Sequence, residues 1–558
     1  MAFFDFGTQK QPEPTKYWRK YEKGIDYIRR KNLVTRTNRN WNFFIGKQWE
    51  EYQGRNKDEM PSMAFIHSNI MRRVTTVHSN RMSVRFSDMY GRSDLKEVYD
   101  KLTELFDANW ERAKEDIVMR EMLKNAAITG DGLQYFGTGD VADVQLLQNT
   151  AVLYGDESQV DIQKQPYIII HQRESVRNVR EQARKNGLPE EQIQLILADQ
   201  ETENLIGNRQ EVNEDSADID SKVTTLIYME KINGIVNVAK CTKNVVYEPL
   251  RPIQGEKPDG TPARGLTRYP LVKFSWEVFP NDARGVSQVE LLIPNQLEVN
   301  KTLARRSMTT KMTAYPRLAY DSTQVMNPEE LEKVGGAIEV NTGGVQGINQ
   351  LVSYLQPAQT NDEPKKLTDD ILEVTQELTG SGDNTMGNID LRRVAASAYL
   401  AVSEKAESMH DETVARKEMA TEDLANLWIE LWQVFQPNGM PVVRHIINPQ
   451  TGMEEEVLTE ITPEELDSIM PSVRIDVSKD NSFTREAEQQ VLDKLLEQNR
   501  ITLEEYTDLC NETSPVPVNG LKQMFAKRDA KAQQMAMQSQ MMGEQPVTDE
   551  LPPEQTTA

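Results

Sequence analysis

The segment 280–437 constrains the fold of this chain most strongly, because long helical patterns alternate there with short breaks rich in glycine and proline. Ser287 and Glu290 have the spacing of a capping box, in which two side chains satisfy backbone N–H groups at the start of a helix. Residues 314–363 are predicted to form a small β-α-β unit. A second helix is predicted to follow it, with apolar residues at helical spacing: Leu367, Ile371, Val374 and Leu378.

A glycine-rich loop, residues 380–387, follows this second helix. Asp390 suits the N-cap position of the next helix. From Leu391 to Gln436 the sequence contains neither Gly nor Pro. If this run is one helix, it is about 69 Å long at 1.5 Å per residue. The layout favours an elongated part of an assembly over an enzyme pocket.

The rest of the chain is predicted to be α+β and mostly helical. Helical patterns cover 15–60, 69–82 and 94–129, and strand patterns follow between 133 and 274, so the first 280 residues are predicted to form one α+β domain. Two later strands, at 442–447 and 473–477, are predicted to complete its sheet, which would make this domain discontinuous in sequence.

The composition, with 38% hydrophobic and 27% charged residues among 558, is that of a water-soluble globular protein. No apolar run is long enough for a transmembrane helix, and the N-terminus lacks the pattern of a secretory signal. Two cysteines far apart, Cys241 and Cys510, suggest a reducing compartment.

The formal net charge of −23 argues against a general coat for nucleic acid, since phosphate binding depends on Lys and Arg. The charge is uneven: residues 1–60 hold 13 basic and 8 acidic residues, whereas residues 440–558 hold 10 basic and 22 acidic residues. An acidic protein can still handle DNA if the duplex must slide past without adhering.

The sequence offers no support for catalysis. The nearest match to a phosphate-binding loop, residues 382–387, lacks the lysine that reaches the phosphates. The five histidines show no paired metal-ligand spacing, and the acidic residues at 214–220 do not match a calcium loop. A nuclease or terminase subunit is therefore disfavoured, and no cofactor is expected.

The positions of the basic residues point to a function more clearly than the acidic residues and histidines do. Lys301, Arg305 and Arg306 are spaced to lie near one face of the first helix. Lys365 and Lys366 begin the second helix, and Arg392 and Arg393 follow the glycine-rich loop; in both places they oppose the helix dipole. Two explanations stay open: ion pairs within or between subunits, and contact with DNA.

In order and pattern, the chain resembles the portal (connector) proteins of tailed double-stranded DNA bacteriophages over roughly residues 15–510. The matching pieces are the segments 43–49, 69–70 and 126–132, then Pro280 and Ser287, Gln296 and Asn300 four residues apart, and the loop 380–387 before an alanine-rich helix. Residues 395–398 depart from the family, many of whose members have Ser-Gly near this point.

The resemblance implies a portal architecture with wing, stem, clip and crown. The implied parts are an N-terminal arm 1–14, wing 15–286, stem helix 287–313, clip 314–363, second stem helix 364–379, tunnel loop 380–390, long wing helix with returning strands 391–480, helical crown 481–542 and disordered tail 543–558.

The implied function is a ring, usually of twelve subunits, at one capsid vertex, through which double-stranded DNA is packaged, retained and ejected. The implied partners are the terminase large subunit, which would supply ATP hydrolysis, the major capsid protein and scaffold, and a head-tail adaptor, but no membrane. The implied location is the virion, and the host cytoplasm during assembly. An alternative is another head-tail structural protein. The candidate channel residues are Lys301, Arg305, Arg306, Lys365, Lys366, Asp383, Asn384, Thr385, Met386, Asn388, Arg392 and Arg393.

Overall fold

A computed structural model describes most of the chain between residues 15 and 480. The described ranges are 15–49, 60–79, 81–88, 95–199, 221–256, 262–314, 318–320, 363–378, 410–436, 439–447, 454–469 and 473–480, with isolated positions in 322–354 and 492–506. The predicted arm, tunnel loop and tail lie outside them, as do most of the clip and the crown. The described part is a mixed α and β protein, about half helical, with several sheets.

The helices are α1 (Lys16–Arg30), α2 (Leu33–Phe44), α3 (Phe65–Ser79), α4 (Lys96–Ala113), α5 (Glu115–Thr129), α6 (Val176–Lys185), α7 (Glu190–Ile193), α8 (Gln288–Ala314), α9 (Glu363–Leu378), α10 (Asp411–Phe435) and α11 (Pro463–Ile469). The strands are β1 (Arg81–Asp88), β2 (Asp131–Tyr135), β3 (Gln145–Leu147), β4 (Val152–Tyr154), β5 (Tyr167–Ser175), β6 (Lys222–Ile232), β7 (Ile235–Cys241), β8 (Val246–Pro252), β9 (Gln254–Glu256), β10 (Pro262–Gly265), β11 (Leu271–Ser275), β12 (Leu318–Tyr320), β13 (Val352–Tyr354), β14 (Met440–Ile447), β15 (Glu454–Ile461) and β16 (Val473–Asp480).

The largest sheet is antiparallel, with strand order β4-β5-β6-β7-β8. Its strands are rich in β-branched and aromatic residues, which favour a pleated, half-buried surface. One face packs on α1 through Trp18 and Tyr21. A second antiparallel sheet, β11-β2-β3, packs against α5 and against α10. The described part of the chain before residue 280 therefore contains both helices and antiparallel sheets.

The predicted helix over 94–129 is two helices. Lys114 breaks it, because its backbone adopts the left-handed conformation at φ 52° and ends α4 as α5 begins. The predicted helix over 69–82 is also displaced. It spans Phe65–Ser79, and the chain continues as strand β1, which the sequence pattern did not indicate.

The strands after residue 437 do not complete the five-stranded sheet, so that prediction is wrong. β14 pairs with β15, and β16 pairs with β1, with Arg81 opposite Asp480. The late strands nevertheless contact the first part of the chain, because β16 pairs with β1 and β14 packs on α4.

Helix α10 packs in the main core, where it contacts β1, β9, β10, β11 and β16. Trp428 is fully buried and its ring lies 4.9 Å from that of Phe106. The Lys417 ammonium donates to the carbonyls of Val77 and His78 at the end of α3, over 3.3 Å each, and burial lowers the pKa of Lys417 to about 8. α10 begins after His410, so the unbroken helix predicted from residue 391 has a boundary there.

In the described part of the predicted clip, β12 pairs antiparallel with β13. Of the predicted second strand at 337–341, the structure describes residues 339–341, and Val340 among them forms an isolated bridge with Val325. The pairing partner of β12 therefore lies later in the sequence than expected. β12 follows α8 and β13 precedes α9, so this pairing also brings the end of α8 close to the start of α9.

Candidate nucleic-acid interface

The residues predicted to form the two stem helices lie in α8 and α9. Polar contacts join the start of α8 to α2 and α5. The Ser287 hydroxyl accepts from the Glu290 amide over 3.3 Å and donates to the Ile128 carbonyl over 2.6 Å. The Glu290 carboxylate binds the Arg36 guanidinium through two contacts of 2.6 and 3.0 Å. Only the serine half of the predicted capping box is therefore present, and the glutamate instead joins α8 to α2.

The loop before α8 is held by a buried carboxylate. Asp131 accepts from the Gly285 amide with both oxygens at 3.0 Å and from the Ser275 hydroxyl at 2.6 Å. The backbones of Gly130 and Gly285 lie in direct contact there, and a Cβ added to Gly130 would lie 2.2 Å from the Gly285 carbonyl oxygen. The glycines thus allow the end of α5 to touch the start of α8.

Arg284 fixes the same loop to the five-stranded sheet. Its guanidinium donates to both carboxylate oxygens of Glu157, at 3.0 and 2.9 Å, and to the carbonyls of Asn149 and Val152. Its carbon Cζ lies 4.5 Å from the centre of the Tyr154 ring. Burial, the largest single influence, lowers the pKa of Arg284, but Glu157 together with Tyr154 and Asp131 raises that pKa above its ordinary value.

Two buried amide side chains in the middle of α8 form hydrogen bonds with the start of α3 and with the chain before it. The Gln296 carbonyl oxygen accepts from the Ile66 amide over 3.3 Å, so it caps the N-terminus of α3, while its amide nitrogen donates to the Met63 carbonyl. Asn300 accepts from the Met63 amide over 3.1 Å and donates to Gln48. The sequence pattern drew attention to Gln296 and Asn300, but not to this role.

Helices α8 and α9 run antiparallel and are joined by a hydrogen bond between an asparagine and a threonine. Asn295 donates to the Thr375 hydroxyl over 3.0 Å. Two turns further along α8 lies Thr302, and two turns back along α9 lies Thr368; both are buried. The contact between Asn295 and Thr375 carried no signal in the sequence, where threonine is equally common on exposed surfaces.

The apolar side chains of α9 do not make this contact. Leu367 and Val374 are 47% and 50% exposed, and Ile371 between them is half-buried. The sequence periodicity correctly identified an amphipathic helix, yet within the described residues its apolar stripe, Leu367, Ile371 and Val374, faces outward. We refer to these three residues as the α9 stripe.

The basic residues of α8 are exposed and two of them share one acid. Lys301 and Arg305 lie 3.9 and 3.8 Å from the carboxylate of Glu298. Exposed pairs of this kind contribute little energy and are screened by salt. Intrahelical ion pairing, one of the two open explanations, is therefore present, but two cations facing one carboxylate leave an excess of positive charge, and Arg306 is exposed beside them.

The packing of α9 against α8 brings two further basic residues, Lys365 and Lys366, to the level of Arg305 along the helix axes. Arg305 lies ten residues beyond Asn295 on α8, and Lys365 lies ten residues before Thr375 on α9. The antiparallel contact between Asn295 and Thr375 therefore places Arg305 and Lys365 at one level, with Arg306 and Lys366 next to them. We call these five residues the basic band: Lys301, Arg305, Arg306, Lys365 and Lys366, all of them exposed.

The other predicted channel residues lie outside the described ranges. They are Asp383, Asn384, Thr385, Met386, Asn388, Arg392 and Arg393. Within the ranges that are described, no group of three or more His, Cys, Asp or Glu side chains is arranged to hold a metal ion. None of the described helices is long and apolar enough to span a membrane.

No protein-family model matches this chain, and it has no significant match among curated proteins.

Proposed function

We propose that this chain is the subunit of a phage portal ring, the channel through which double-stranded DNA enters and leaves the capsid. The observation that carries the proposal is the α8–α9 pair, whose inner contact is polar while its apolar stripe is exposed. An exposed apolar stripe on a paired helix is typical of a surface that another protein covers.

A second copy of the chain is the proposed occupant of the α9 stripe. In a ring, each copy would cover the stripe of its neighbour with a different surface. Such heterologous contacts close into a ring when the rotation between neighbours permits. Repetition would also turn the basic band into a circle of positive charge within an otherwise acidic protein.

That circle would suit a duplex that must be held weakly while it moves. Lys and Arg attract the phosphates of DNA. The net charge of −23 means that most of the protein surface repels those phosphates. Terminase, capsid and scaffold proteins and a head-tail adaptor are the partners that this role requires, and the virion is the location.

Electron microscopy of the purified protein tests the proposal. We expect rings with a central opening. The double variant Leu367→Ser, Val374→Ser should shift the protein towards monomers, whereas Ile117→Ser, at an exposed apolar site on α5, should not. Wild-type monomers, or filaments without a channel, would refute the portal proposal and leave another head-tail structural protein as the alternative.

DNA binding by the assembled ring tests the basic band. Lys301→Gln with Arg305→Gln should weaken binding of a linear duplex at low salt by about 3- to 10-fold and reduce its salt dependence. The matched control is Arg184→Gln with Lys185→Gln, which removes two exposed cations from α6. Equal effects of the two double variants would mean that the band has no special role.

A further inference from the structure

Helix α1 carries a row of positive charge along one side. Six of its residues are Lys or Arg and only two are acidic. At about 100° per residue, an arc of about 60° on this helix contains four exposed cations. They are Lys16, Arg19, Lys23 and Arg30, and we call them the α1 row. The row is about 21 Å long, in a chain whose formal net charge is −23.

The opposite side of α1 fixes the row to the five-stranded sheet. Trp18, Tyr21 and Ile25 are buried in a cluster that they share with residues of β4, β5, β6 and β7. At the N-terminus of the helix, the Thr15 amide donates to the Lys243 carbonyl over 3.0 Å. The backbone under the row is therefore positioned before any partner binds, which lowers the entropic cost of binding.

The α1 row does not serve the stability of its own helix. Lys16 and Arg19 lie in the first turn, where positive charge opposes the helix dipole and no acidic residue compensates. Within the described ranges, no ion pair involves Lys16, Lys23 or Arg30. A partner of negative charge would therefore complement the row.

The chemistry of this face fits the phosphates of duplex DNA better than an acidic protein or a single strand. No large apolar side chain of α1 is exposed, although such side chains usually anchor a protein interface. Its aromatic residues are buried or half-buried, so they do not offer rings on which unpaired bases could stack. Duplex DNA carries one charge per about 1.7 Å of its axis, so a row of about 21 Å spans about 12 phosphates.

We propose that the α1 row binds duplex DNA through its phosphates, without reading the base sequence. Contacts between cations and phosphates position a duplex but carry no sequence information directly. One subunit holds the complete row, so the inference requires neither the proposed ring nor the basic band. The row would give the protein a second, separate surface to which DNA adheres.

Binding of the full-length protein to a linear duplex of mixed sequence, followed by fluorescence anisotropy, tests this inference. Lys16→Gln with Lys23→Gln should weaken binding at low salt by about 3- to 10-fold and reduce the salt dependence by about two contacts. Lys16→Arg with Lys23→Arg keeps both charges and should bind like wild type.

The matched control is Arg184→Gln with Lys185→Gln, because these two exposed cations of α6 already pair with carboxylates. It should have little effect on binding. Equal losses in the α1 and α6 glutamine variants, or no loss in the α1 variant, would overturn the inference.

Chemical footprinting supplies a second measurement. Acetylation of lysine amines, followed by mass spectrometry, should show that the duplex protects Lys16 and Lys23 but not Lys185. Protection by polyglutamate and not by the duplex would identify an acidic protein as the partner and overturn the inference. Rings in which the duplex leaves Lys16 and Lys23 unprotected would also overturn it, but would leave the portal proposal standing.

Discussion

Gly130 and Gly285 touch through their backbones, and a Cβ on either residue would lie within 2.3 Å of the other's carbonyl oxygen. Gly130 also has a φ of 103°, which side-chain-bearing residues rarely adopt. We therefore expect Gly130→Ala to lower the free energy of unfolding by more than about 2 kcal/mol, since both strain and a backbone clash oppose it. Urea unfolding would measure the loss.

Gly187 is the matched control for this substitution. It has a φ of 76°, but a Cβ there would meet nothing within 4 Å. Gly187→Ala should therefore cost only the backbone strain, about 1 kcal/mol. Equal costs at the two positions would contradict the role assigned to the contact between α5 and α8.

Glu115 is predicted to make stability depend on pH. It is fully buried at the start of α5, and burial raises its pKa from 4.5 to about 8. Its proton is thus retained in the folded protein at pH values where the unfolded chain releases it. The stabilising contribution is complete below about pH 4.5 and is lost as the pH rises to about 8.

Glu115→Gln should remove this dependence, because an amide does not ionise and can still accept the hydrogen bond from Gln134. We expect the variant to gain stability relative to wild type as the pH rises from 5 to 8, by more than about 1.4 kcal/mol. Thermal unfolding at several pH values measures this. Glu191→Gln, at an exposed site, controls for the loss of a negative charge; parallel curves for wild type and Glu115→Gln would contradict the prediction.

Removal of Arg284 should be severely destabilising. Arg284→Met leaves the largely buried carboxylate of Glu157 unpaired, and breaking a buried pair typically costs about 3–5 kcal/mol. Adding Glu157→Leu should recover part of the loss, because the uncompensated charge is then gone. Arg184→Met, which breaks an exposed pair with Glu190, should have a much smaller effect on chemical unfolding.

Gln296→Leu should loosen the start of α3. The Ile66 amide would lose its partner, whereas the Met63 carbonyl would still accept from the Phe65 amide, and one unsatisfied buried group costs about 1–3 kcal/mol. Hydrogen exchange should accelerate most at the first turn of α3. The same change at exposed Gln192 is the control, and uniform acceleration across the protein would point to general destabilisation instead.

Local patterns predicted most described helices and β5 to β8 of the five-stranded sheet, but not β4, because periodicity and turn residues determine the longer elements within a short window. They failed where a distant contact decides the structure. Arg81–Asp88 is a strand because β16 pairs with it, and no sequence pattern near residue 81 indicates that a distant strand will do so. The break at Lys114 has no glycine to indicate its left-handed backbone.

The candidate interface was predictable in its residues but not in its arrangement. The sequence located Lys301, Arg305 and Lys365, yet only the contact between Asn295 and Thr375 brings Arg305 and Lys365 to one height. Likewise, periodicity identified the apolar side of α9 but could not specify which side faces α8. The order of the elements, by contrast, followed directly from glycine and proline breaks.

The pairing of β1 with β16 has a consequence for how the protein is made. Arg81 and Asp480 are separated by roughly 400 residues, so at about 5–20 residues per second a ribosome needs roughly 20–80 s to supply the second strand after the first. During that interval β1 lacks the strand to which it finally bonds. The nascent chain must therefore delay this part of its folding until synthesis is nearly complete.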